Sequence, residues 1–257
     1  MKKAWLKIVL LLSYMTLIGN SHSAEQRYTY LENDGVFMYY KTQKLNVYRD
    51  LLPSQFEMPD EPVVYAFMSD FYKMDSGTMP YKEAALFLLV KHEGKEFWYC
   101  VFMPVTSQES RVVGIRRLGL PKIMGDINFE QSSSVFTANV KEQDGHEMML
   151  KVNASAYEFS DEEEQVIDKL SILPKLSLHN GELIQMGRTS KRSLIDLSKF
   201  LRNKLVMKPG AGELVLRKSA SAEASASHPM DLQPAEILAA YYLKNSIPFR
   251  LNGRAVK

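Results

Sequence analysis

Cysteine is almost absent: Cys100 is the single one in 257 residues. This excludes an intrachain disulfide framework and a cysteine-built zinc site. Net charge is small as well. The 32 Lys and Arg against 30 Asp and Glu leave +2, so no basic field marks the chain for nucleic acid. Histidine is scarce, and the five at positions 22, 92, 146, 179 and 228 show no metal-ligand spacing on a helix. No G-x-S-x-G elbow occurs, and Pro209-Gly210-Ala211-Gly212 is too short for a phosphate loop and reads as a turn.

What is present is ordinary globular composition, 46% hydrophobic and 11% aromatic. The N-terminus has Lys2, Lys3 and Lys7, an apolar run over 8–18, then GNSHSA. Charge, apolar stretch and small residues in that order form a signal-peptide pattern. The run is shorter than the ~20 residues a bilayer span needs. The expectation is therefore a signal over 1–24 with cleavage near Ser23 or Ala24, and one exported domain over 25–257. Without 1–24 the chain would hold 29 basic and 30 acidic residues and keep no stable membrane anchor.

Segments 28–40 and 62–72 are rich in aromatic and β-branched residues, as strands are. Between them TQKLNVYRDLLP reads as a short helix stopped at Pro53. Turns at Glu93-Gly94, Asp144-Gly145 and Asn180-Gly181 each separate two strand-like runs and predict hairpins. Thr106 with Glu109, and Ser160 with Glu163, have capping-box spacing. The first of these helices would end at Gly119, with Pro121 just beyond. The small polar stretch 218–227 reads as a loop, while 235–245 has good helix propensity. Cys100, inside FWYCVFM, reads as a buried strand thiol. Together these predict an α+β domain, mainly antiparallel β, or a partly closed β-barrel with a few short helices.

One residue stands out chemically. Lys122 lies in Gly119-Leu120-Pro121-Lys122-Ile123-Met124-Gly125, among apolar neighbours. Desolvation disfavours a charged ammonium, and an amine nucleophile needs the free base. A lysine snorkelling to solvent at a helix end is the alternative.

Here the chain resembles the acetoacetate decarboxylase family. Gly114, a six-residue spacer, Pro121-Lys122 and Gly125 look like that family's lysine segment. LLPSQFEMPDEPVV at 51–64 is similar to its proline-and-acid segment, and Tyr81-Lys82-Glu83 to its Tyr-x-Glu. Gly212-Glu213-Leu214-Val215-Leu216 and the run from Pro229 to Ile237 are similar to its C-terminal pattern. The resemblance covers roughly 28–252 in the family's order.

The resemblance implies a closed, cone-like, mainly antiparallel sheet with a central cavity, in a homo-oligomer, and makes 235–245 largely strand. It implies a lysine, at Lys122, that forms an imine with a β-keto acid or related oxo compound, with Glu83 as acid–base group. No metal or organic cofactor is required. Acetoacetate decarboxylase is itself the standard instance of a lysine activated beside another cation. This chain departs there, because Ile123 replaces the family's second lysine. Arg116 or Arg117 would have to substitute. The strand glutamate is missing from Tyr65-Ala66-Phe67-Met68, so Arg116, Phe67 and Met68 are the expected substrate contacts, Phe67 and Met68 making the pocket more apolar. For the family's N-terminal arginine the nearest candidate is Arg27, with Asn33-Asp34 at the expected place. These losses keep a second reading open: a non-catalytic exported protein that binds an apolar small molecule in the same cavity.

Overall fold

Alternating apolar segments pair into a sheet that is buried on both faces over much of its length. A computed structural model describes residues 29–75, 79–187, 190–220 and 226–256. The expected signal over 1–24, Arg27 and part of the 218–227 loop lie outside the described residues. Among those described, no helix is long and apolar enough to cross a membrane.

The chain begins with β1 (Thr29–Thr42), α1 (Leu45–Asp50), β2 (Val64–Met74), β3 (Tyr81–His92) and β4 (Lys95–Val105). It continues through α2 (Gln108–Leu118), β5 (Lys122–Ser132), β6 (Val135–Glu142) and β7 (Glu147–Asn153). Next come α3 (Asp161–Ser171), β8 (Lys175–His179), β9 (Glu182–Met186), α4 (Leu194–Phe200), β10 (Leu205–Pro209) and β11 (Ala211–Arg217). A 3-10 turn at Pro229–Asp231 leads to β12 (Pro234–Asn245), β13 (Phe249–Arg250) and β14 (Gly253–Ala255).

The main path of the sheet runs β10-β12-β1-β2-β3-β4-β5-β6-β7-β11. Pairing is antiparallel except where β5 and β8 each join β4 in parallel. The path is open, because its end strands β10 and β11 do not pair, so the expected closure is replaced by folding over. Ile127, Val140, Leu150 and Leu214 of the second half pack on Met38, Met68 and Leu86 of the first. The opposite face of β1–β4 carries Phe37, Phe67, Phe87 and Trp98, covered by Ile167 and Leu170 of α3 and Ile195 of α4.

Three of the sequence signals become structure for the reasons given. Glu93-Gly94 and Asn180-Gly181 both have positive φ at the two turn positions, as tight hairpins of this twist require. Ser160 and Glu163 form a complete capping box on α3. Gly119 caps α2 in the left-handed region at φ 61. Two others are overridden. Ser107, not Thr106, caps α2, accepting from the Ser110 N–H, while Thr106 Oγ1 accepts from the Lys82 N–H and ties α2 to β3. The helix-forming stretch 235–245 is β12, because it pairs on both sides, with β1 and β10. Pairing with β1 along most of its length and with β10 over residues 241–245 satisfies its backbone, and propensity gives way.

Strand alternation also fixes which residues share a face. On β2, Tyr65, Phe67 and Phe71 face one way, and Ala66 and Met68 the other. On β4 the alternation is reset: Leu86 pairs with Phe102 but Phe87 with Cys100, so Val101 is an extra, bulged residue. Trp98, Cys100, Met103 and Val105 thereby fall on one face.

Met68 is fully buried in the core away from α3. Met68→Ala is expected to lower the stability measured by urea unfolding by about 2–5 kcal/mol. Glu142, at the end of β6, has Oε1 buried with no hydrogen-bond partner among the described residues. Burial, with help from Asp144, raises its carboxyl to about 7. The folded chain then holds a proton that the unfolded chain has lost between the ordinary carboxylate range and about pH 7, so stability falls as pH rises through that window. Glu142→Gln is expected to match the parent below pH 4.5 and to exceed it in urea midpoint at pH 8.

Candidate functional site

Lys122 is the first residue of β5, and the β4–α2–β5 unit decides where its side chain goes. Gly119 and Pro121 end α2 and turn the chain back, and Lys122 then pairs with Met103 on the cavity-facing side of β4. The two fully buried residues of α2, Ser110 and Gly114, lie one helical turn apart and both face Lys122. Ser110 Oγ accepts from Lys122 Nζ at 2.9 Å. At Gly114 a Cβ would come within 2.5 Å of Lys122 Cδ and 2.7 Å of Cε. The glycine eight residues before the lysine is thus the seat of the lysine's stem.

Tyr81 and Glu83, two residues apart on β3, face the same side. Glu83 Oε2 accepts from Lys122 Nζ at 2.7 Å, and both side chains are about 5% exposed. Tyr81 donates to Glu83 Oε2 at 3.3 Å, its hydroxyl lies 2.9 Å from that of Tyr30, and its ring lies 5.3 Å from Lys122 Nζ. Burial first, then the Glu83 charge, push the Tyr81 phenol well above its usual range, so it stays a donor. The result is a dry chain Tyr30–Tyr81–Glu83–Lys122–Ser110 in which every polar end has a partner.

This chain of contacts forms one wall of a cavity of about 890 Å³. Phe37, Tyr65, Phe67, Phe71 and Phe87 make the aromatic wall. A polar corner is closed by Asn33, which donates to Ser69 Oγ at 3.0 Å and accepts from Asn245 at 3.1 Å. A second lysine, Lys175 at the start of β8, lines the same space.

The expected residues divide accordingly. Lys122, Glu83 and Phe67 line the cavity together. Met68 does not: one residue from Phe67 on a strand, it must face the other side. Arg116 is also absent from the lining; its neighbour Arg117, exposed like it, borders the cavity instead. Asn33 lines the cavity at the place considered for an arginine, and Asp34 points away to the Tyr242 hydroxyl. Cys100 is buried, and burial pushes its thiol up, as a structural cysteine's would be. Ser110 and Lys175 were not anticipated. Helical spacing from Gly114 could have flagged Ser110, whereas nothing local marks Lys175.

Comparison with known proteins places this geometry. The family model described as acetoacetate decarboxylase matches residues 19–253. A curated relative, Decarboxylase DEC1 of Cochliobolus heterostrophus, is 28% identical over 99 residues, and the match spans 38% of each chain. Among solved structures, an acetoacetate decarboxylase aligns with TM-score 0.69 at 16% identity, covering 94% of this chain and 96% of that one. The enduracididine biosynthesis enzyme MppR, complexed with pyruvate, aligns with TM-score 0.66 at 13% identity, covering 92% and 95%. With the family model spanning nearly all of the described residues and the fold matching over nearly its full length, the chain belongs to the acetoacetate decarboxylase family.

Proposed function

We propose that the protein is a lysine Schiff-base enzyme that removes carbon dioxide from a β-keto acid or acts on a related small oxo compound. The observation that carries this is the buried Lys122–Glu83 contact of 2.7 Å on the wall of an aromatic-lined cavity. That a family neighbour is complexed with pyruvate supports a small oxo acid as the occupant. The pattern of residues 1–24 would place the enzyme outside the cytoplasm.

The chemistry follows from the placement of Glu83. It accepts the ammonium proton, and the free Lys122 amine adds to the ketone carbon. Glu83 returns the proton to the resulting hydroxyl, which leaves as water, and a carbon–nitrogen double bond forms. The protonated imine draws the electron pair of the adjacent carbon–carboxylate bond, and carbon dioxide departs. The enamine carbon then takes a proton, and water releases the ketone and the lysine. Tyr81 and Ser110 hold the two reacting groups in line and cost no reorganisation during the steps. The aromatic wall makes the surroundings of the reacting carbon less polar than water, which favours loss of a charged carboxylate as a neutral gas.

Borohydride trapping with a panel of oxo acids, followed by peptide mass mapping, tests this. The expected adduct is on Lys122, and Lys122→Met is expected to abolish it and all turnover. Turnover that survives Lys122→Met would overturn the reading. Tight binding of an apolar ligand by both forms, with no adduct from any oxo acid, would favour the non-catalytic alternative. Glu83→Gln is expected to slow trapping about 10²–10⁴-fold, as loss of a positioned acid–base group does. Gly114→Ala tests the seat of the lysine separately. The methyl group displaces the Lys122 stem, so trapping falls by at least an order of magnitude, while the helix gains up to ~1 kcal/mol from the better helix former. Displacing the stem also breaks the buried Lys122–Glu83 contact, which costs more than the helix gains, so thermal unfolding of Gly114→Ala should occur below the parent.

A further inference from the structure

The cavity contains a charged group that the proposed steps at Lys122 leave unused. The Lys175 ammonium lies 5.5 Å from the centroid of the Phe87 ring and 6.0 Å from that of Tyr65. Among the described residues, no hydrogen bond or ion pair engages it. The other cations of the lining are engaged: Lys122 by Glu83 and Ser110, Arg250 by Thr29 Oγ1 at 2.8 Å, and Arg117 by a contact of its own.

The fold aims Lys175 into this space. It pairs with Trp98 on the same edge of β4 on which Lys122 pairs with Met103. Trp98 and Met103 are five residues apart, an odd interval that would normally put them on opposite faces. The extra residue Val101 cancels that inversion, so both lysines point into one cavity.

Lys175 is half-buried, and a charge partly withdrawn from water without a counter-charge is unfavourable, while aromatic faces return only about 0.5–2 kcal/mol. Burial accordingly pushes the Lys175 amine below the ordinary lysine range, against weaker upward pulls from Cys100 and Glu83. Glu83 is the one carboxylate among the described lining residues and is taken by Lys122, so no lining carboxylate is left to pair with Lys175. An anion of the right size would relieve it.

We propose that Lys175 is the anion-binding residue of the cavity, pairing with a carboxylate of the oxo compound whose carbonyl meets Lys122. This rests on the Lys122 reading for the carbonyl and adds the substrate class. A carboxylate paired with an ammonium is stabilised before the reaction and loses that stabilisation as it becomes carbon dioxide, which slows its departure. The carboxylate on Lys175 is therefore the one that stays. The preferred substrate is an oxo acid that keeps a carboxylate throughout, such as an oxo diacid that loses only the carboxylate next to the imine. The surrounding rings suit a short carbon chain between carbonyl and anion.

The test compares the parent with Lys175→Met and Lys175→Arg, using borohydride trapping on Lys122 with a neutral ketone, an oxo monoacid and an oxo diacid of similar size. For the diacid, the half-saturating concentration should rise about tenfold or more in Lys175→Met and largely recover in Lys175→Arg, as for loss of a buried charge partner. The neutral ketone should be unaffected. Calorimetric titration with glutarate and its uncharged diamide gives a readout free of imine chemistry. Glutarate should bind the parent and Lys175→Arg, and Lys175→Met should lose it. If glutarate behaves so while nothing is trapped on Lys122, the imine reading fails and the anion site stands. Unchanged diacid trapping or glutarate binding in Lys175→Met, no glutarate binding by the parent, or an adduct on Lys175 itself would overturn the proposal.

Discussion

Two opposite charges in contact at 2.7 Å, away from water and about 5% exposed, set the terms for the rest of this structure. Taking each ion out of water costs several kcal/mol, and their attraction repays it only if the remaining hydrogen-bonding capacity is also met. The chain meets it with Ser110 on Lys122 and Tyr81 on Glu83, and backs Tyr81 with Tyr30. These groups come from β1, β3, α2 and β5, four segments that must hold their relative positions for any of them to be satisfied. The two hydrophobic cores on either face of β1–β4 supply that rigidity.

The site shows how far parity along a strand carries an argument, and where it stops. Tyr81 and Glu83 share a face in any unbroken strand, so their pairing was legible in the residues alone. The same rule separates Phe67 from Met68, since adjacent strand residues cannot both face one cavity. On β4 the rule fails at Val101, because a bulge leaves no mark in a stretch as uniformly apolar as FWYCVFM. The face shared by Trp98 and Met103, and with it the common aim of Lys175 and Lys122, became visible only in the register of pairing.

Longer-range effects explain the other differences. A cap is settled by backbone geometry, and Thr106 was already engaged by the N–H of Lys82 across from it, which left Ser107 to begin α2. The Ala- and Leu-rich stretch of β12 carries a helical preference, yet pairing with β1 and β10 outweighs a few tenths of a kcal/mol per residue. On α2, adjacent arginines lie about 100° apart around the axis, so although both are exposed Arg117 borders the cavity and Arg116 does not. Lys175 was beyond reach for a different reason. It belongs to a five-residue strand that joins β4 77 positions away in sequence, Trp98 to Lys175, and only that contact gives it meaning.

In the chemistry proposed here the two lysines face opposite requirements. One must give up its proton to act on a carbonyl, while the other must keep its proton to hold an anion. The fold gives each the neighbour suited to its task. Lys122 has a carboxylate that can take the proton away and bring it back at the next step. Lys175 has ring faces, which attract a cation but cannot accept its proton. An arriving carboxylate then strengthens the protonated form of Lys175 as it binds, so the anchoring charge is fixed by the ligand it anchors. Replacing an adjacent lysine with Ile123 is compatible with this arrangement, because the second cation comes from β8, at the far end of the same edge of β4.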